Sequence, residues 1–180
     1  MVNHKLKCIF VEVPKTGSTS IRAIIGQPPT PHLNIVQIEN QVTKNQFNKY
    51  FKFAFVRNPW DRALSLYKYI LKTPEHHYYE QCCQLANFSA YLKERTPVPQ
   101  QYDSLSKHGK IQVDFIGRFE NMQHDFNIVC DKIGIPKQQL PHTNKSSHKN
   151  YTEYYDDETR EIVAKNYKED IEHFGYKFGE

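Results

Sequence analysis

The first twenty-six residues switch from one hydrophobic rhythm to another. Cys8-Ile9-Phe10-Val11 is an unbroken apolar run rich in β-branched and aromatic residues, which predicts a short buried strand. Ile21, Ile24 and Ile25 then recur at helical spacing, and Gly26 followed by Pro28-Pro29 is a stop signal. Between strand and helix lies a hydroxyl-rich turn, Pro14-Lys15-Thr16-Gly17-Ser18-Thr19-Ser20. The same plan returns in FKFAFVR, Phe51 to Arg57, followed at once by NPWDRALSLYKYILK. There Asn58 can cap a helix and Pro59 takes its first position, where a missing N–H costs nothing. Trp60, Ala63, Leu64, Tyr67, Ile70 and Leu71 fall on one face of that helix. A third unit runs from VDFIGRF, Val113 to Phe119, into a helix traced by Met122, Phe126, Val129, Cys130 and Ile133 and ended by Gly134 and Pro136. A final helix starts near Asp156-Asp157-Glu158, acids suited to the dipole, and buries Ile162, Val163, Tyr167, Ile171 and Phe174.

Strands alternating with helices predict an α/β protein whose parallel sheet is covered on both faces. In such sheets ligands sit beyond the carboxyl ends of the strands, which puts the Lys15 turn, Arg57 and Arg118 along one edge. A strand, a tight turn and a helix N-terminus gather backbone N–H groups where the dipole favours an anion, and Lys15 adds a mobile positive charge. The alternative for that turn is an ordinary strand-to-helix loop with serine capping. The polar stretches Thr96 to Lys110 and Gln138 to Thr152 are long for simple connections and are candidate ligand-facing loops. No repeat, low-complexity tract or linker interrupts the 180 residues, so a single domain over 1–180 is expected.

Net charge narrows the ligand. At +4 it fits an acidic ligand and is too small to imply nucleic acid by itself. With 12 Tyr and 11 Phe against one Trp, aromatic rings must supply much of the core. No run is long enough to cross a bilayer and no signal peptide is evident, so a cytoplasmic protein without a membrane span is expected. Cys8, Cys82, Cys83 and Cys130 form no C-x-x-C pair, and the adjacent Cys82 and Cys83 are poorly placed to bridge each other. Cys8 and Cys130 fall on apolar faces as reduced core thiols, which favours a reducing compartment. His142 and His148 lack close Cys, Asp or Glu partners, so no metal site is expected.

VPKTGSTS after the first strand, FAFVRNPWDRALSLY and VDFIGRFEN, in that order, resemble the sulfotransferases that use 3′-phosphoadenosine 5′-phosphosulfate (PAPS), in their carbohydrate sulfotransferase-like branch. The resemblance runs from about Phe10 to the C-terminus. It implies a three-layer, P-loop-like α/β domain with a central parallel sheet flanked by helices. It also implies that Lys15, Thr16, Gly17, Ser18, Thr19 and Ser20 hold the 5′-phosphosulfate, while Arg57 and Ser65 hold the 3′-phosphate. The chemistry agrees: Gly17 lets the backbone approach, and Lys15 offsets charge on the bridging oxygen. Arginine's planar fork donates two hydrogen bonds to one phosphate, and the alternative for Arg57 is a surface ion pair with Asp61. Arg118 either reaches the nucleotide or pairs with Glu120 or Asp114. Lys145, Ser146 and Ser147 lie where related enzymes close a loop over the nucleotide, the alternative being a solvated charged loop.

An acceptor hydroxyl has a high pKa, so attack on sulfur is helped by a group that takes its proton. Glycan sulfotransferases of this kind place a histidine or glutamate between the first motif and the second strand. His32, in TPHLNIV, matches that place, Glu39 is its carboxylate rival, and His76 and His77 fit acceptor or solvent better than chemistry. The function the resemblance implies is sulfuryl transfer from PAPS to a hydroxylated acceptor of the carbohydrate class, without metal. A P-loop kinase is the enzymatic rival, but its G-x-x-x-x-G-K-[ST] loop puts lysine after glycine, whereas Lys15 precedes Gly17. No strand ends in an unambiguous magnesium-binding aspartate. The remaining rival is a module that binds nucleotide or acidic glycan without turnover.

Overall fold

The computed structural model describes residues 1–26, 32–94, 98–141 and 149–180. In chain order its elements are β1 (Val2–Asn3), β2 (Cys8–Val11), α1 (Ser18–Ile25), α2 (Ile35–Glu39), α3 (Lys44–Lys49) and β3 (Phe51–Val56). These are followed by α4 (Pro59–Ile70), α5 (Tyr79–Gln84), α6 (Phe88–Glu94), α7 (Gln101–Leu105), β4 (Ser106–Lys107) and β5 (Lys110–Ile111). The chain ends with β6 (Phe115–Arg118), α8 (Met122–Ile133), α9 (Asp157–Asn166) and α10 (Lys168–Phe174). They gather into two compact units, residues 1–57 with 101–145 and residues 58–100 with 146–180.

The first unit is built on a sheet of order β1-β2-β3-β6, parallel except for β1, with α1 and α8 packed on it. This is the expected α/β architecture. Every residue of β2 is buried, and all but the first of β3, so both read as near-continuous apolar runs. Phe10 stacks on Phe53 with ring centroids 4.9 Å apart, and Ile21, Phe55, Phe126 and Val129 complete that core. Lys52 is the polar exception in β3. Its ammonium pairs with Asp114 at 3.1 Å and donates to the carbonyls of Phe47 and Tyr50, so its burial is matched by partners. Asp114, one expected partner of Arg118, is therefore engaged with Lys52. Gly117 permits another close approach: a Cβ there would stand 2.5 Å from the Phe55 ring. The stretch read as a polar loop before Lys110 contains α7 and the β4–β5 hairpin, because Gln101, Tyr102 and Leu105 are buried.

The second unit is helical. Asn58 accepts a hydrogen bond from the Trp60 N–H and Pro59 opens α4, as the sequence predicts. Trp60, Leu64, Tyr67 and Ile70 of α4 pack with Phe88, Tyr91, Val163 and Tyr167. The single terminal helix expected from periodicity is instead two helices. α9 opens on a capping box between Asp156 and Thr159, and the chain breaks at Tyr167, with φ −121° and ψ 33°. Gln100 Oε1 accepts from the N–H groups of Glu169 (2.9 Å) and Asp170 (3.4 Å), supplying the new helix with the acceptor its first turn needs. Asp170, fully buried, faces Arg62 at 3.9 Å. The four cysteines are thiols outside any disulfide, with Cys83 alone exposed. Among the described residues no helix is long and apolar enough to cross a membrane.

Candidate active site

β2 delivers the chain into the turn through Glu12 and Val13. Lys15 (φ 70°) and Gly17 (φ 80°) both adopt left-handed backbone, the kind of turn conformation from which anion-binding concavities of N–H groups are built. A left-handed lysine is strained, and such strain persists where the surroundings enforce it. Thr16 supplies part of that enforcement: fully buried, its hydroxyl donates to the Val13 carbonyl at 2.9 Å, so its backbone N–H is what it has to offer a ligand. Glycine suits this position chiefly because φ is 80°, and a Cβ on it would also stand 2.6 Å from Met122 Cε, the flexible end of a side chain that would have to shift, and 3.3 Å from Phe119. α1 then starts at Ser18 on Gly17, with no side-chain cap among the described residues. α2, α3, α4 and α9 begin on Asn34, Thr43, Asn58 and Asp156, each accepting an N–H bond, whereas α5, α8 and α10 share with α1 a start without a side-chain cap bond. The α1 dipole therefore opens onto the turn. Thr19 is exposed beside it, and the Ser20 hydroxyl donates to the Pro141 carbonyl at 2.7 Å. Lys145 and Ser146, together with Ser147, His142 and His148, lie outside the described residues.

Arg57 follows β3 directly and is 6% exposed, so it is no surface arginine. Its Nη1 donates to the Lys15 carbonyl at 3.2 Å, and its guanidinium lies 3.9 Å from the centroid of the Phe119 ring. Gln101, completely buried, clasps its main chain: Oε1 accepts from the Arg57 N–H at 2.9 Å and Nε2 donates to the Arg57 carbonyl at 2.8 Å. Burial, and then the Arg57 charge, depress the Lys15 ammonium from 10.5 to about 8. Two cations held against a concavity of N–H groups make a site that favours a multiply charged anion, which would relieve their repulsion.

The sequence offered no signal for Gln101 or for Phe119, whose roles depend on contacts between distant segments. Gln101→Ala strands a buried N–H and a buried C=O at Arg57, so it should cost roughly 2–5 kcal/mol of stability. Denaturant unfolding measures this, and a loss below 1 kcal/mol would remove Gln101 as the support of Arg57.

The other sequence-derived residues divide between the units. His32 is exposed in the first unit, with φ 60°, and its Nδ1 lies 3.3 Å from the Glu12 carbonyl. A carbonyl can only accept, so Nδ1 carries the hydrogen of the neutral ring and Nε2 keeps its lone pair for an incoming proton. Glu39, the rival base, is ion-paired to Lys107 at 2.6 Å. Arg118 closes β6 opposite Val56, exposed, and its N–H donates to Asp125 at 2.7 Å. Ser65 is half-buried on α4 in the second unit. His76 and His77 are in that unit too, stacked with centroids 4.6 Å apart in a ring cluster with Tyr69 and Tyr78.

In this α/β protein the turn, the helix start and the neighbouring Lys15 and Arg57 are a candidate phosphate- or sulfate-type anion site at the carboxyl end of the sheet. The Sulfotransferase family model matches residues 1–177, and the chain belongs to that family. An uncharacterized protein of Archaeoglobus fulgidus is 32% identical over 114 residues, 63% of this chain and 92% of its own. Human carbohydrate sulfotransferase 9 is 24% identical over an alignment spanning 94% of this chain. That alignment takes in 47% of the human protein, so this chain spans about half its length. The crystal structure of mouse sulfotransferase SULT7A1 complexed with PAP shares the fold, with a TM-score of 0.59 at 15% identity, covering 95% of this chain and 91% of that one. Family and fold together support sulfuryl transfer as the general chemistry.

Proposed function

We propose that the protein transfers a sulfuryl group from PAPS to a hydroxyl of a carbohydrate. The observation that carries this reading is the pairing of Lys15 and Arg57 at the left-handed turn: two adjacent cations and converging N–H groups suit a nucleotide with a phosphosulfate at one end and a phosphate at the other. The PAP in the related mouse structure supports the donor class, and the human carbohydrate sulfotransferase supports the acceptor class. In this reading the N–H groups of residues 16–20 hold the phosphosulfate oxygens, and Lys15 neutralises charge on the leaving phosphate oxygen. Arg57 binds the 3′-phosphate, a role that the family motif extends to Ser65. His32 accepts the acceptor's proton at Nε2 as the new S–O bond forms. Arg118, Lys145 and Ser146 remain assigned to the nucleotide by the resemblance.

Calorimetry with 3′,5′-adenosine bisphosphate, paired with donor-dependent turnover on a panel of hydroxylated glycans, tests the proposal. The wild-type protein should bind the nucleotide, and Arg57→Ala should lose on the order of 1.5–3 kcal/mol of that affinity. Unchanged affinity in Arg57→Ala refutes the 3′-phosphate assignment. Binding without turnover on any hydroxyl acceptor favours the non-catalytic module.

A further inference from the structure

Two hydroxyls of the Lys15 turn are already committed as donors. Thr16 gives its hydrogen to the Val13 carbonyl at 2.9 Å, and Ser20 gives its own to the Pro141 carbonyl at 2.7 Å. Thr19, exposed in the first turn of α1, accepts instead: Arg22 Nη2 donates to its Oγ1 at 3.3 Å. Among the described residues no carbonyl takes the Thr19 hydrogen. The carbonyl four residues back, to which a helical threonine commonly returns it, is that of Lys15 and is engaged by Arg57 Nη1. A hydroxyl has one hydrogen and two lone pairs. With one lone pair bound to a guanidinium, the hydrogen remains for a ligand at the turn.

Arg22 is anchored in its turn. Glu12, just past β2, has a side chain only 1% exposed, and its Oε2 stands 3.6 Å from Arg22 Nε, an ion pair without a hydrogen bond. Enclosing such a pair is costly, and apolar residues of similar size in both places would cost less. The pair is accounted for if it holds the guanidinium in place. Nε then faces the carboxylate while Nη2 faces Thr19, two separate donors of one planar fork that a lysine could not supply.

We propose that Arg22 is a positioning residue for Thr19: anchored by Glu12, it donates to the threonine oxygen and leaves the hydroxyl hydrogen to be donated to a 5′-phosphate oxygen of the bound nucleotide. Hydrogen bonds in a chain polarise one another, so the guanidinium also makes that hydroxyl a better donor. The inference rests on the reading of residues 16–20 as the phosphosulfate cradle. It adds two residues that touch no ligand themselves.

The test uses two probes, 3′,5′-adenosine bisphosphate and adenosine 3′-phosphate, which lacks the 5′-phosphate. By calorimetry Thr19→Val should bind the bisphosphate roughly 10–150-fold more weakly, the usual worth of a hydrogen bond to a charged group. Removing Arg22 alone would leave Glu12 enclosed without its guanidinium, so both charges are replaced together in Glu12→Gln/Arg22→Met. That double variant should lose roughly 2–10-fold, the worth of a neutral hydrogen bond. Glu12→Gln alone, which keeps the shape of the side chain, should fall between it and the wild type.

Affinity for adenosine 3′-phosphate should be the same in all of them, and in Thr19→Val the double replacement should add no further loss. Unchanged bisphosphate affinity in any of these variants overturns the inference and leaves the donor reading standing. So does an equal loss in the wild-type and Thr19→Val backgrounds, which makes Arg22 a direct charge on the anion. A loss shared by adenosine 3′-phosphate overturns it too, since the pair would then support the fold and not the 5′ end. A wild-type protein that binds neither nucleotide overturns the donor reading, and this inference with it.

Discussion

Replacing His32 with alanine should lower turnover by roughly 10²–10⁴-fold, the usual contribution of a positioned acid or base. Affinity for 3′,5′-adenosine bisphosphate should not change. The two outcomes separate because the ring's described contact is with the Glu12 carbonyl, not with the Lys15 turn or Arg57. Its Nδ1 is committed as a donor, which leaves Nε2 as the basic atom. Steady-state turnover and calorimetry on one preparation supply both numbers. Near-normal turnover would remove His32 from the mechanism. Glu39 would be a poor successor, since a base already ion-paired to Lys107 must give up that partner to take a proton. His76 and His77 would then come first.

Lys15→Ala should damage both steps. In the proposed reading its ammonium touches the bound phosphate and meets the charge that develops as the phosphate leaves. Loss of one charge-assisted contact weakens binding by on the order of 1.5–3 kcal/mol, and loss of one stabiliser of developing charge typically lowers turnover by about 10²–10³-fold. The depressed ammonium adds a pH signature. Nucleotide affinity of the wild-type protein should decline as pH rises through about 8, because binding above that value must first recharge Lys15. Lys15→Ala should show no such decline. The free protein should behave oppositely. Between about 8 and the ordinary 10.5 the unfolded chain holds the lysine proton and the folded chain does not, so stability gains from this group as pH rises across that window. A wild-type affinity that stays flat from pH 7 to 9 would separate Lys15 from the bound anion.

What could be read in the sequence was what local chemistry determines. The apolar runs at Cys8–Val11 and Phe51–Val56, the Asn58-Pro59 helix start and the Lys15 turn all depend on neighbours within a few residues. The third strand is shorter than the run read as Val113 to Phe119 because pairing with β3 extends only from Phe115 to Arg118. The break at Tyr167 was hidden because the apolar period continues straight across it, while the acceptor that restarts the helix comes from Gln100, far back in the chain. β1 has only two residues and carries no period to detect. In the site, Arg57 was legible from its motif, but the Gln101 clasp and the Phe119 ring that hold it were not, since nothing near Arg57 in sequence specifies either. Glu12 did leave a trace: it is a carboxylate set between an apolar strand and the turn.

Helix α1 begins on glycine, while several of its neighbours begin on side chains that close their first turn. An anion at that end takes over the work of a cap, so occupancy and the order of the first helical turn become one equilibrium. Any loosening of the first turn in the empty protein would be removed on binding, and the affinity would be lower by that amount. A mutation that stiffens this turn from a distance, without touching the nucleotide, would therefore tighten binding and slow release together. In the proposed reaction, where spent nucleotide must leave every cycle, an imperfect helix end would keep the product from staying too long.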